Sequence, residues 1–413
     1  MQFFKIITLN EAMDQVMTIA NTQGLESERV ALLSSHGRVC SENVYSKVDI
    51  PSFDRSTVDG YAVKVKDLAG ATDSIPAMLT LKGDSIMGEA TCYVIESGQA
   101  MYVPTGGMLP EGADGMVMIE HTEKISEDMV LIYHPVAFGE NIIYCGDDLK
   151  REQLILSHGK RVSAYDMGLL AGAGIGELSV YKKIRVAVLS TGDEIIDCNG
   201  PMNLGQIRDI NGYSLAGAIT ALGGEVVFKD IVKDDMAALR ESVNKALEMA
   251  DVIILSGGSS VGTRDFTQRV IESFEGGKIL VHGISIKPGK PTIVGRVQDK
   301  MIFGLPGHPT ASALVFEVLV RPYMEKLSRH EAKAMEIVAK VTESVHSSPG
   351  RDTFIMVTLF KAQEGWMAKP ILGKSGLISL MAGASGYIHI KSDQEGLYKE
   401  EEVVVTLFKR GEI

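Results

Sequence analysis

Five short stretches carry residue types suited to phosphate or oxyanion chemistry. The first, DVIILSGGSSVGTRDF at 251–266, runs an apolar segment into a Gly/Ser loop and ends on a carboxylate. Gly257 and Gly258 permit close backbone approach, and the amides and hydroxyls of Ser259 and Ser260 are donors that suit a phosphate. The bland alternative is an ordinary βα turn. The loop is neither a Walker loop, since no Gly-Lys-Ser/Thr follows, nor a G-x-G-x-x-G dinucleotide fingerprint. The second stretch, IRVAVLSTGDE, is another apolar run that ends in small residues and acids. Glu194 and Asp265 at two such ends are placed to share one Mg²⁺ with substrate phosphates; the alternative is that both acids cap the following helices. In the third, ISIKPGKP, Lys287 and Lys290 flank a Pro-Gly turn and can converge on an oxyanion, or else sit solvated on an exposed loop. In the fourth, FGLPGHP, Pro306 and Pro309 fix the backbone ahead of a helix start, which favours anions. A histidine there, His308, is more often structural than a ligand. In the fifth, PSFDRSTVDGYAV, the residue types alone favour Asp59-Gly60 as a hairpin turn.

These stretches need elements to hold them. From 183 to 328 strand-like runs (IRVAVLS, EVVFKDIV, DVIILS, MIFGL) alternate with helical ones (NGYSLAGAITALGG, DDMAALRESVNKALEMA, FTQRVIESF, ASALVFEVLVRPYMEKL). That alternation predicts a parallel sheet with helices on both faces, and ligands bind beyond the carboxyl ends of such strands. At the N-terminus, Thr8 and Glu11 have capping-box spacing ahead of a helical repeat. A second helix is expected over Glu26–Ser35 and a short one after Arg161. Between them lies a Gly- and Pro-rich region with β-type runs YAVKV, AMYVP, GMVMI and MVLIY. Beyond residue 329, EIVAKVTES, DTFIMVTLF, GYIHIKS and EEVVVTLFK read as strands able to close a small barrel.

The chain has 413 residues, with 41 Lys and Arg against 53 Asp and Glu, a formal net charge of −12. That balance argues against a nucleic-acid-coating or membrane-surface protein, but not against an anionic substrate in a locally cationic cleft. The four cysteines are scattered without a C-x-x-C, so they support no zinc site and read as reduced thiols. The apolar run in MQFFKIITLNEAMDQV is too short for a signal peptide. No stretch approaches the length of a membrane span, and the expected compartment is the cytoplasm.

Together the motifs resemble the molybdopterin molybdenumtransferase family, which includes the C-terminal domain of gephyrin. PSFDRSTVDGYAV, YVPTGGMLPEGADGMVMIE, GENIIYCGDDL, LSTGDE, GQIRDINGYSL, LSGGSSVGTRDF, IKPGKP, GLPGHP, GRDTF and KSG occur in family order across nearly the whole chain. The resemblance implies Mg-dependent insertion of molybdate into adenylylated molybdopterin with release of AMP. It implies four parts: a helical and extended dimerisation segment (1–45 with 148–182), a β-rich lid (46–147), an α/β molybdopterin-binding domain (183–328) and a C-terminal β-barrel (329–413). It also implies a homodimer with a shared cleft, and a molybdopterin adenylyltransferase as upstream partner.

Residue by residue, the resemblance puts Mg²⁺ on Glu194 and Asp265, and the pterin and its phosphate on the loop from Gly257 through Gly258, Ser259 and Ser260 to Gly262. Lys287, Lys290, Arg351 and Ser375 match positions that hold molybdate. Asp59, Thr105 and Asp148 match functional lid positions that serve the partner's cleft, and Asp234 or Asp235 matches a further acid. One departure stands out: the family usually reads GLPGNPVS, where this chain has His308 for the Asn and Ala311 for a Ser, with Thr310 and Ser312 nearby. That leaves open the oxyanion site's detail and the choice of molybdate or tungstate. The alternatives are a molybdopterin adenylyltransferase, which resembles the α/β block alone, a gephyrin-like scaffold, a tungstate-preferring paralogue and a nucleotide hydrolase.

Overall fold

An apolar run without alternation needs cover on both faces, and Arg185–Thr191 has it, being buried from its second residue onward. The computed structural model of the chain describes residues 6–257, 263–330, 334–363 and 365–408, apart from the side chains of residues 263–265. Arg185–Thr191 pairs in parallel with Glu225–Val232 on one side and Val252–Gly257 on the other, and the latter pairs in parallel with Lys300–Leu305. Val186 and Val188 join one core with Leu215, Ile219 and Phe303; Ala187 and Leu189 join another with Leu239, Val243 and Ile271. This is the two-residue period of a strand, with helices on each face. The expected parallel sheet is corrected at one edge. Ile293–Val297 and Lys278–His282 lie antiparallel there. Only Gln298 and Asp299 separate Ile293–Val297 from Lys300–Leu305, and so short a link joins only antiparallel neighbours.

The helical run that starts at Pro309 also differs from a plain helix. Pro309–Val315 and Arg321–Leu327 are α-helical, and Phe316–Val320 between them is a π turn. Pro322 explains it: its nitrogen has no hydrogen and its ring crowds the carbonyl four residues back, which a wider turn relieves.

Helix Leu9–Thr22 starts at a capping box between Thr8 and Glu11. Its buried Leu9, Ala12, Val16 and Ala20 share a core with Phe303 and Tyr323 of the α/β block. The helix expected at Glu26–Ser35 is not there. Ser27–Ala31 is a strand antiparallel to Glu177–Tyr181, followed by a 3₁₀ turn at Leu32–Ser34. Pairing with the distant strand prevails over local preference: Val30 packs onto a separate core of Cys40, Leu156, Leu170 and Val180. Helix Ala164–Gly172, capped by Ser163 and Asp166, covers the same core.

The β-rich region holds a six-stranded sheet in the order 115–118, 60–63, 99–103, 77–84, 129–132 and 122–126. At the C-terminus, Asp352–Ala362, Gly365–Pro370, Glu336–Val341, Glu402–Leu407 and Gly386–Ile390 pair in turn, and Gly386–Ile390 pairs back onto Asp352–Ala362 to close a five-stranded barrel. Ile286–Lys287 of the α/β block adds in parallel to Asp352–Thr353. The turn that carries both site lysines is thereby tied to the barrel. Among the described residues, no helix is long and apolar enough to cross a membrane.

Candidate functional site

Two neighbouring cavities meet at His308, the first at the carboxyl ends of the parallel strands and the second between the α/β block and the barrel. The first, about 370 Å³, is walled by Ser190, Thr191, Glu194, Asp209, Asn211, Ser256, Gly257, Gly307 and Pro309 among others. Gly257 is required there, because a Cβ on it would sit 1.8 Å from Thr191 Oγ1. The adjacent strand ends meet too closely for any side chain. Within the wall Asp209 is buried. Its Oδ1 accepts from Ser190 Oγ and the Gly212 amide, each at 2.8 Å, and its Oδ2 pairs with Lys229 at 2.8 Å. Asn211, only 8 % exposed, donates through Nδ2 to Ser256 Oγ and to the Gly307 carbonyl, each at 2.8 Å. Its Oδ1 is left as a buried acceptor without a hydrogen-bond partner among the described residues.

Beside Glu194 the charge is crowded. The Asp234 amide donates to Asp193 Oδ1 at 3.3 Å. Burial first, and then the Asp193 and Glu194 charges, hold the Asp234 carboxyl above the usual aspartate range. Asp235 is occupied otherwise: its carboxylate caps helix Met236–Met249 by accepting from the Ala238 amide at 2.8 Å. Of the two acids left open by the sequence, Asp234 is the one in the acidic cluster. No three His, Cys, Asp or Glu side chains among the described residues converge in the manner of metal ligands. Gly258, Ser259, Ser260 and Gly262 lie outside the described residues, and so does the side chain of Asp265 in helix Thr263–Glu272.

The second cavity, about 650 Å³, collects the cations. Lys287, Lys290, Pro306, His308, Arg351, Lys374 and Ser375 line it, with His346 and apolar residues of the barrel. None of the three site cations Lys287, Lys290 and Arg351 has a carboxylate within salt-bridge reach among the described residues. Two features converge them. Gly289, at φ 118°, turns the chain between the lysines where a Cβ would lie 2.7 Å from both Ile286 Cδ1 and Val315 Cγ2. Ser285 then grips both neighbours of Arg351, donating from Oγ to the Gly350 carbonyl and accepting from the Asp352 amide, each at 3.0 Å. Ser375 is held by the helix start: His308 Nδ1 lies 2.8 Å from Ser375 Oγ, and the Thr310 amide donates to the Ser375 carbonyl at 3.1 Å. Thr310 Oγ1 donates to the Leu377 carbonyl at 3.0 Å, so Thr310 ties down the neighbouring loop. Ser312 faces the other way, with its Oγ 3.5 Å from Ser256 Oγ, while Ala311 lines the cationic cavity.

The lid residues stand apart from both cavities. Asp59 Oδ1 accepts the Thr105 amide at 2.8 Å, which makes those two a pair, and both are exposed. Asp148 is exposed too, its amide bonded to the Ile50 carbonyl at 3.0 Å. None of the three lines either cavity. Among the polar lining residues not singled out from sequence are Arg208, Asp209, Asn211, Ser256, His346 and Lys374. The motif GQIRDINGYSL contains three of them, but single polar residues at a turn carry no periodic signal.

Three family models match in succession. They are the MoeA N-terminal region (domain I and II) over residues 7–174, the probable molybdopterin binding domain over 187–326 and the MoeA C-terminal region (domain IV) over 338–408. The chain is 30% identical over 388 residues to the molybdopterin molybdenumtransferase of Haemophilus influenzae, covering 93% of this chain and 94% of that one. It is 29% identical over 389 residues to the enzyme of the same name from Bacillus subtilis, at 93% and 90% coverage. A solved structure of the molybdopterin biosynthesis MoeA protein from Pyrococcus horikoshii superposes with a TM-score of 0.83 at 37% identity, over 98% of this chain and 100% of that one. With its N-terminal, central and C-terminal regions all matched in order and its length shared with these relatives, the chain belongs to the molybdopterin molybdenumtransferase (MoeA) family.

Proposed function

We propose that this transferase of molybdenum cofactor biosynthesis acts on adenylylated molybdopterin and molybdate, and releases AMP. The observation that carries the reading is a cluster of three site cations around one cavity, next to a second cavity whose wall holds Glu194 and Asp209 together with Arg208. Lys287, Lys290 and Arg351 face one cavity, Glu194 faces the next, and His308 borders both. A tetrahedral dianion suits two ammonium groups, a guanidinium fork and the Ser375 hydroxyl. The strand-end cavity suits the phosphoanhydride, with Gly257 giving close backbone approach. Glu194 and Asp265 would hold Mg²⁺, and the donor set fits: Mg²⁺ takes oxygen ligands, needs only one or two carboxylates and keeps several waters. Burial first, and then the Asp193 and Glu194 charges, raise the Asp234 pKa at that point. When bound, the ion supplies charge neutralisation at the phosphoanhydride. The chain's own contribution is positioning, with the oxyanion fixed beside the reacting phosphate by residues already tied in place. A homodimer accounts for Asp59, Thr105 and Asp148, which serve the partner's cleft in this reading. A molybdopterin adenylyltransferase supplies the substrate.

The test is anaerobic AMP release from adenylylated molybdopterin with Mg²⁺ and micromolar molybdate or tungstate. Release that requires the oxyanion is the expected result, and the preferred oxyanion identifies the metal. Glu194→Gln combined with Asp265→Asn abolishes the Mg-dependent release; normal turnover by that variant would remove the metal assignment. No release, together with ATP consumption on free molybdopterin, would replace this reading by adenylyltransferase activity.

A further inference from the structure

His308 is the residue common to the walls of both cavities. It occupies the N-cap position of helix Pro309–Val315, yet its side chain makes no capping bond. The ring is turned instead to Ser375, with Nδ1 2.8 Å from Oγ. The backbone beneath it is fixed from both sides. Asn211 holds the preceding Gly307 carbonyl, and the Ser312 amide donates to the His308 carbonyl at 2.9 Å. The ring is therefore presented on a rigid element, and its bond to Ser375 spans the junction of the α/β block and the barrel.

The direction of that bond matters for an anion. If Ser375 donates its hydroxyl hydrogen to Nδ1, only lone pairs remain to face the cationic cavity, and they repel an oxyanion. If Nδ1 carries hydrogen and donates to Ser375 Oγ, the hydroxyl hydrogen is free to point at the ligand. We propose that His308 is a positioning residue for the oxyanion: its Nδ1–H orients the Ser375 hydroxyl as a donor into the cavity of Lys287, Lys290 and Arg351. The inference rests on the reading of that cavity as the oxyanion site, and it gives His308 a role beyond wall-forming. The donor position it uses is also available to an asparagine Nδ2, but not to a glutamine amide, which overlays Nε2.

The test is direct binding of molybdate, and separately tungstate, to the full-length protein by isothermal titration calorimetry at neutral pH, with thermal melting as a check of folding. His308→Ala is expected to weaken binding roughly tenfold, the scale of one hydrogen bond to a charged group. Ser375→Ala should do the same, and the double variant should be no weaker than either single one, since the two side chains act as one unit. His308→Asn is expected to restore near wild-type affinity, and His308→Gln is not. Wild-type affinity in His308→Ala, with binding abolished by Lys287→Ala and Arg351→Ala together, would overturn the inference and leave the cavity reading intact. Equal losses in His308→Asn and His308→Ala would also overturn it. Absence of oxyanion binding by the wild-type protein would overturn the cavity reading itself, and the inference with it.

Discussion

Asp234 reports the field at the acidic strand ends. Burial, Asp193 and Glu194 all disfavour its charged form. The sign follows from linkage. Its folded pKa lies above the unfolded one, so the favourable contribution is complete below the unfolded pKa and is lost as pH rises through the folded value. At neutral pH the charged carboxylate therefore works against folding. Asp234→Asn is expected to raise the melting temperature at neutral pH in metal-free buffer, and the advantage should vanish near about pH 3, where the carboxylate is protonated in both states. Melting curves across that range check it; a gain that persists at the acid end would point to a packing effect. Millimolar Mg²⁺ should narrow the difference at neutral pH, since a cation at Glu194 relieves the same repulsion.

At the scale of elements, the site depends on a clamp between the start of helix Pro309–Val315 and the barrel loop around Ser375 and Leu377. Thr310 is buried, and its hydroxyl bond to the Leu377 carbonyl is one strand of that clamp. Thr310→Val keeps the shape and removes the bond, worth about 1 kcal/mol. Hydrogen exchange of amides near Leu377 should then quicken about fivefold through local opening, with the global melting temperature almost unchanged. Unchanged exchange there would mean that the amide bond from Thr310 to Ser375 holds the loop alone. Elements were unevenly legible in the sequence. The capping box at Thr8 and Glu11 and the strand at Arg185–Thr191 are local patterns and were readable. Ser27–Ala31 was not, because only its pairing with Glu177–Tyr181, some 150 residues away, makes it a strand. The antiparallel edge is not legible locally, since the Lys287–Lys290 turn interrupts it. Lys287 and Lys290 could be read from one rigid turn, whereas Arg351 and Ser375 came only from the family resemblance. Nothing local shows that barrel closure and the grip of Ser285 bring Arg351 to the turn.

Over the whole molecule, charge and geometry divide the work between parts. A chain of net charge −12 repels an oxyanion at long range, so capture depends on the cationic cavity between the α/β block and the barrel. The acidic strand ends lie across its wall, and the lid pair Asp59–Thr105 lies on neither. In the proposed homodimer a lid that serves its partner's cleft makes each active site composite. Subunit mixing decides this. Asp59→Ala and Glu194→Gln homodimers should each be inactive. In a mixed dimer the Asp59→Ala subunit keeps an intact Glu194 cleft and receives an intact lid from its partner, so one of the two sites is whole. Random reassortment gives half mixed dimers, each with one working site, and AMP release should recover to about a quarter of wild type. A lid acting on its own subunit's cleft gives no recovery, because every site then lacks either Asp59 or Glu194. Recovery that scales with the mixed-dimer fraction, measured with differently tagged subunits, would place Asp59 in the partner's cleft; activity flat at the parental level would return the lid to its own chain.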